Sequence, residues 1–149
     1  MNRTALLAIR LGSALSLTLL LTATTLAAEG RDLTFQGDAS FGGPHGGQAI
    51  QAALVDVARG ETIAVETGEV AASADPAFSF VFPGALREGE RYAVHYWIDA
   101  NFGGGSAGQC DPMQHDHQWR VAIEAGAGPV THTETHDPST QAAVCDTFR

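Results

Sequence analysis

Lysine is absent from this chain of 149 residues, and all eight of its basic residues are arginines. Acidic residues outnumber them at 17, and the formal net charge at pH 7 is −9. The arginines form no basic stripe, which excludes nucleic acid and anionic membrane surfaces as expected partners. An acidic surface of this kind attracts cations instead.

Long hydrophobic runs are also lacking. The apolar run from Leu11 to Leu21 is shorter than the ~20 residues that a membrane-spanning helix needs, and nothing later in the chain is long enough. Arg3 and Arg10 precede this run, and small residues ending in Ala27 and Ala28 follow it. This layout predicts a signal peptide over residues 1–28, cleaved after one of those alanines, and a secreted or periplasmic protein. A retained N-terminal anchor is the alternative.

Residues 29–149 are enough for one domain that buries a core of its own. Signal cleavage removes two arginines and no acidic residue, so six arginines face 17 acids and the charge of the mature chain is 6 − 17 = −11. No membrane insertion is expected after cleavage.

Cysteine is scarce, with Cys110 and Cys145 alone, and no CxxC spacing that would favour a thiolate metal site. In an oxidising compartment, two cysteines are expected to pair. By closing a loop in the unfolded chain, the disulfide would stabilise the fold by roughly 4 kcal/mol. It would also tie the glycine-rich loop before Cys110 to the C-terminal tail. Free thiolates acting as metal ligands are the alternative.

Convincing amphipathic helices are missing before the tail, and short β-like segments alternate with glycine- and proline-rich turns. The chain is therefore predicted to be all-β, a single antiparallel β-sandwich of about seven strands of the immunoglobulin-like or transthyretin-like kind. The predicted strands are Leu33–Phe35, Ala49–Val57, Thr62–Glu66, Phe78–Phe82, Tyr92–Asp99, His117–Glu124 and Val130–His136.

The stretch from Phe78 to Val94 places a phenylalanine strand before Pro83-Gly84 and, after a later glycine, a Tyr-x-Val strand. It resembles a strand–turn–strand unit of transthyretin-like and carboxypeptidase-regulatory-type sandwich domains. The resemblance covers some 17 residues and implies a fold, whereas no functional residue is carried over from it.

Histidines supply the sharpest functional signal. On a strand, residues two apart share a face at about 6.6 Å, close enough for two side chains to bind one ion. His115 and His117 meet this spacing. In the stretch Thr131–His136, Glu134 meets it with His132 and with His136. Imidazole suits Cu(II) and Zn(II), and a carboxylate can complete the site. The candidate ligands are His45, His95, His115, His117, His132, Glu134 and His136.

The favoured combination is His115 or His117 with His132 and His136, joined by His95 or His45. On a flat strand, His132 and His136 are too far apart to form a mononuclear site by themselves. The predicted disulfide would draw the two regions together. In the alternative, His117 is a core histidine, His45 a loop residue and the stretch Thr131–His136 a solvated edge strand.

Asp99, Asn101 and Asp111 form a second, weaker pattern, a cation loop with alternating oxygen ligands for which calcium is the less favoured ion. The acid expected at the twelfth position is missing, because Cys110 stands there. A glycine-rich loop without an ion is the alternative.

The predicted function is therefore an exported carrier, buffer or chaperone of copper or zinc. The alternative is a non-catalytic structural or interaction module of the cell envelope, without cofactor and with another envelope protein as its partner. A hydrolase is the third interpretation, and it would need a concave pocket near residues 99–116.

Overall fold

The computed structural model describes residues 29–149, and the predicted signal peptide lies outside the described residues. All seven predicted strands are present, and the all-β sandwich is confirmed. Within residues 29–149, no helix is long and apolar enough to span a membrane. The elements are β1 (Arg31–Gly37), a 3-10 helix (Ala39–Phe41), α1 (Gly42–His45), β2 (Ala49–Asp56), β3 (Glu61–Glu69), β4 (Phe78–Leu86), β5 (Arg91–Ile98), β6 (His117–Glu124), β7 (Val130–Glu134) and two further 3-10 helices (Pro138–Thr140 and Cys145–Phe148).

The strands form two sheets, one of order β4-β1-β7 and the other of order β3-β2-β5-β6. Neighbouring strands are antiparallel in every pair but one, because β1 and β7 run parallel with Leu33 opposite Val130. The predicted antiparallel pairing therefore holds for every pair except this one. Since β6 and β7 belong to different sheets, the chain crosses the sandwich between them, and β7 comes alongside β1 in the same direction.

The core lies between the sheets and is rich in aromatic rings. Alternate residues of β5 point inward, and Tyr92, Val94, Tyr96 and Ile98 are all buried. Trp119 of β6 stacks on Tyr96 with ring centroids 5.0 Å apart. Each such side chain contributes about 2–3 kcal/mol through burial, so this row fixes which face of β5 and β6 points inward.

Strand β4 continues through Pro83 to Leu86, whereas the sequence predicted that it ends at Pro83-Gly84. Proline is tolerated because β4 is an edge strand among the described residues, where one side of the backbone has no neighbouring strand to accept an N–H hydrogen bond. The Asp32 carboxylate accepts a hydrogen bond of 2.7 Å from the Gly84 backbone N–H.

The C-terminal segment covers the outer face of the sheet that contains β5. Phe148 packs on Trp97 with ring centroids 6.3 Å apart, and Trp97 and His95 are both buried. Alternation along β5 by itself would leave His95 on a partly polar outer face. The tail buries that face instead, and this contact could not be read from the period of the strand.

Candidate metal centre

His45 is placed by the short helix α1. Buried Phe41 anchors the start of this turn in the core, and His45 at its end is only 2% exposed. The turn lies against the backbone of Ala72, since a Cβ added to Gly46 would come within 2.6 Å of the Ala72 Cα. His45, a loop residue in the alternative interpretation, thus lies in a helical turn, and the glycines of this turn permit the close approach that buries the imidazole.

His117 is the first residue of β6, opposite Ile98 of β5. It points to the same side as Trp119, and it is half-buried. The fully buried carboxylate of Asp116 accepts hydrogen bonds from the backbone N–H groups of Ala100, Asn101 and Asp111. These bonds fix the chain immediately before His117.

His136 follows the end of β7 and is held through its backbone. The His136 N–H donates to the Ser40 hydroxyl at 2.8 Å, and the Thr135 hydroxyl donates to Asp38 at 2.7 Å. The Trp119 indole N–H donates to the Asp137 carbonyl at 2.9 Å. The segment after β7 is therefore attached both to the chain before α1 and to β6.

These three histidines meet. The His45 Nε2 atom lies 3.1 Å from His136 Nε2 and 3.1 Å from His117 Nδ1, and all three nitrogens lie within 4.8 Å of one another. Metal–nitrogen bonds of about 2.0–2.1 Å in a tetrahedral site place two ligand nitrogens about 3.3 Å apart. The two short separations are close to this value, so small rotations of the rings would let one ion bind all three.

Gln48 sets the tautomer of the central ring. Its Oε1 atom lies 2.7 Å from His45 Nδ1, which donates because an amide oxygen only accepts. The lone pair of neutral His45 is then on Nε2 and faces the other two imidazoles. For both 3.1 Å contacts to be hydrogen bonds without an ion, each of the other two rings would have to donate an N–H to this one lone pair. A cation would accept a lone pair from each ring, the arrangement in which an outer hydrogen bond orients a metal-bound histidine.

Aromatic rings close one side of the cluster. The Trp119 ring centroid lies 6.3, 5.9 and 5.8 Å from those of His45, His117 and His136, and Phe41 lies 5.3 Å from His136. Burial lowers the pKa of His45 from 6.5 to about 4, with the two neighbouring histidines adding to the effect. Burial also lowers the pKa of His117 and His136. All three rings are therefore neutral near pH 7, the form that binds metal.

The other predicted ligands lie apart from this cluster. His132 Nε2 lies 2.5 Å from the Glu134 carboxylate, and the ring stacks on Phe35. His115 Nδ1 donates to the Phe102 carbonyl at 3.0 Å, in the glycine-rich loop. His95 is on the outer face of the sheet, 2.7 Å from the Thr147 hydroxyl. The structure thus brings together His117 and His136 of the favoured combination and completes them with His45.

The predicted disulfide between Cys110 and Cys145 is confirmed. Gln118, which sequence reasoning did not single out, supports the same connection from the residue after His117. It is 1% exposed, donates to the Asp111 carbonyl at 2.6 Å and accepts from the Val144 N–H at 2.8 Å. The disulfide and the Gln118 side chain together hold the C-terminal segment against the start of β6.

The residues of the predicted cation loop lie in one loop, where the Asp99 and Asp111 carboxylates accept hydrogen bonds. The side-chain oxygen of Asn101 is buried and has no hydrogen-bond partner among residues 29–149. The Asp99 carboxylate accepts from Gly108 N–H at 2.6 Å and from the Asn101 side-chain amide. The Asp111 carboxylate accepts from Ser106 N–H at 2.5 Å. These hydrogen bonds stabilise the glycine-rich turns, and the cation loop stays a prediction.

No protein-family model matches this chain, and no similar curated protein was found. Among solved structures, its fold is similar to that of a fimbrial assembly protein from Parabacteroides distasonis, with a TM-score of 0.38 and 10% identity. The alignment covers 70% of this chain and 51% of that one, so the chain spans about half the length of the solved structure. A similarity this low carries no information about function.

Proposed function

We propose that this protein is exported from the cytoplasm and binds one copper or zinc ion through His45, His117 and His136, as a carrier, buffer or chaperone of the metal. The observation that supports the proposal is the convergence of three imidazole nitrogens within 4.8 Å, from three separate parts of the chain. Three neutral imidazoles suit Cu(II) and Zn(II), whereas calcium and magnesium prefer oxygen ligands.

The shape of the site favours binding and transfer. His45 is buried, while His117 and His136 are half-buried, so the cluster opens to solvent on their side. Three protein ligands leave a fourth position for water or for a ligand from another protein, whereas structural zinc sites are closed by four. An open position lets an ion pass to a partner by ligand exchange.

Two further properties fit an exported metal carrier. The disulfide is typical of an oxidising compartment, which agrees with the signal peptide expected over residues 1–28. The charge of −11 calculated for the mature chain raises the local concentration of cations and discourages binding to anionic surfaces.

The direct test is calorimetry on the purified exported chain at pH 7.5, after removal of metal with a chelator. We expect about one Cu(II) or Zn(II) per chain, and loss of tight binding in His45→Gln, His117→Gln and His136→Gln. His132→Gln and His115→Gln are the matched controls, because both rings lie apart from the cluster. Elemental analysis of protein purified from its own envelope would identify the ion.

Two results would contradict the proposal in different ways. If neither ion produced heat and chelator left the thermal unfolding temperature unchanged, the protein would be an envelope module without a cofactor. If metal bound but the three cluster variants behaved like the two controls, the function would stand and the site would be wrong.

A further inference from the structure

A groove runs across the outer face of the sheet β3-β2-β5-β6, on the opposite side of that sheet from the histidine cluster. Its volume is about 540 Å³, within the usual range of small-molecule sites. Val55 and Ala93, paired on adjacent strands, form part of its floor. The C-terminal 3-10 helix, attached through Cys145, forms one wall.

Cationic and donor groups line this groove in a strongly acidic protein, and Asp146 is the one acidic side chain among the described lining residues. Arg120 lies opposite His95 on the adjacent strand, so both side chains point into the groove from one face. Within residues 29–149, the Arg120 guanidinium makes no hydrogen bond or ion pair. Arg149, also in the lining, already pairs with Asp146 at 2.6 Å. Arg120 is thus the cation whose charge is left for a ligand.

His95 adds a second, more deeply placed group. It is 9% exposed, and its Nδ1 atom is 2.7 Å from the Thr147 hydroxyl. This contact fixes the ring and leaves Nε2 with no hydrogen-bond partner in the described part of the chain. The ring can then donate a hydrogen bond from Nε2 to an anion, and the negative charge of the anion would favour the protonated imidazole.

We propose that this groove binds a small carboxylate with a short apolar tail. The carboxylate accepts hydrogen bonds from the Arg120 guanidinium and the His95 imidazole, and the tail packs on Val55 and Ala93. Arginine suits this role because its planar guanidinium can donate two parallel hydrogen bonds to one carboxylate. The groove has both donor groups and an apolar floor. An inorganic anion should therefore bind more weakly than a carboxylate with a tail, because it leaves the apolar floor uncovered.

The test is an NMR titration of the isotope-labelled exported chain with hexanoate, hexanamide and inorganic phosphate. Hexanoate should produce saturable shifts at Ala93, His95 and Arg120, and it should raise the pH at which His95 titrates. Hexanamide lacks the charge and phosphate lacks the tail, so both should bind more weakly. Arg120→Gln should weaken hexanoate binding about tenfold, as expected for loss of one charge-assisted hydrogen bond.

Matched controls separate this site from other causes. Arg31→Gln removes an arginine that donates to the Ala127 carbonyl beside the other sheet, and it should leave hexanoate binding unchanged. His45→Gln should also leave it unchanged, because the metal cluster is on the other face. The proposal is overturned if hexanoate causes no saturable shift, if phosphate binds as tightly as hexanoate, or if Arg120→Gln and Arg31→Gln have equal effects.

Discussion

Acid should destabilise the metal-free protein through His45. The folded state holds this imidazole at 2% exposure, and burial lowers its pKa from 6.5 to about 4. Above pH 6.5 the ring is neutral in both the folded and the unfolded chain, and its titration leaves the free energy of unfolding unchanged. Between pH 6.5 and pH 4 the unfolded chain binds a proton that the folded chain does not, so stability falls as the pH falls.

The size of this loss follows from the same two values. Each unit between the two pKa values corresponds to about 1.4 kcal/mol, so His45 alone accounts for a loss of about 3 kcal/mol by pH 4. Such a loss is a large part of the 5–15 kcal/mol that is roughly typical of a folded domain. The lowered pKa values of His95, His117 and His136 act in the same direction as the pH falls below 6.5.

The assay is urea denaturation of chelator-treated protein at several pH values from 7.5 to 4.5. His45→Leu should have a clearly smaller dependence of stability on pH than the original chain. Phe41→Leu is the matched control, because it changes a buried ring beside His45 without removing a titrating group. It should be less stable at every pH and keep the full dependence. Equal pH dependence in His45→Leu and the original chain would refute the reasoning.

Three further predictions concern the same centre and its support. Gln48→Leu should keep one ion per chain but weaken its affinity about 10–100-fold by calorimetry, because the hydrogen bond that orients His45 is lost; unchanged affinity would contradict this role. Replacing Cys110 and Cys145 with serine should lower the free energy of unfolding by about 4 kcal/mol in urea, and reductant should then have no further effect. Trp119→Phe should remove most of the fluorescence quenching that Cu(II) causes, whereas Trp97→Phe should retain it; the reverse pattern would place the ion elsewhere.

The sequence by itself was sufficient for the sandwich, because the alternation of apolar residues along a strand reports directly on burial. The inward row of β5 and the seven strands could be predicted in this way, and the disulfide could be predicted because the chain has two cysteines and an expected signal peptide. The parallel pairing of β1 with β7 could not, since no local pattern records which distant strand becomes a neighbour. The C-terminal segment covers His95 and Trp97, and this long-range contact also leaves no local pattern in the sequence.

For the candidate centre, the sequence identified histidine as the ligand type and included His45, His117 and His136 among seven candidates. Spacing along a strand favoured His132, which the structure instead pairs with Glu134. Three contacts between distant residues decided which rings meet: the close approach of α1 to Ala72, the Ser40–His136 hydrogen bond and the Trp119–Asp137 hydrogen bond. The stretch Thr131–His136 thus contributes one ligand. The sequence determined which groups could bind a metal, and the tertiary structure decided which of them face one point.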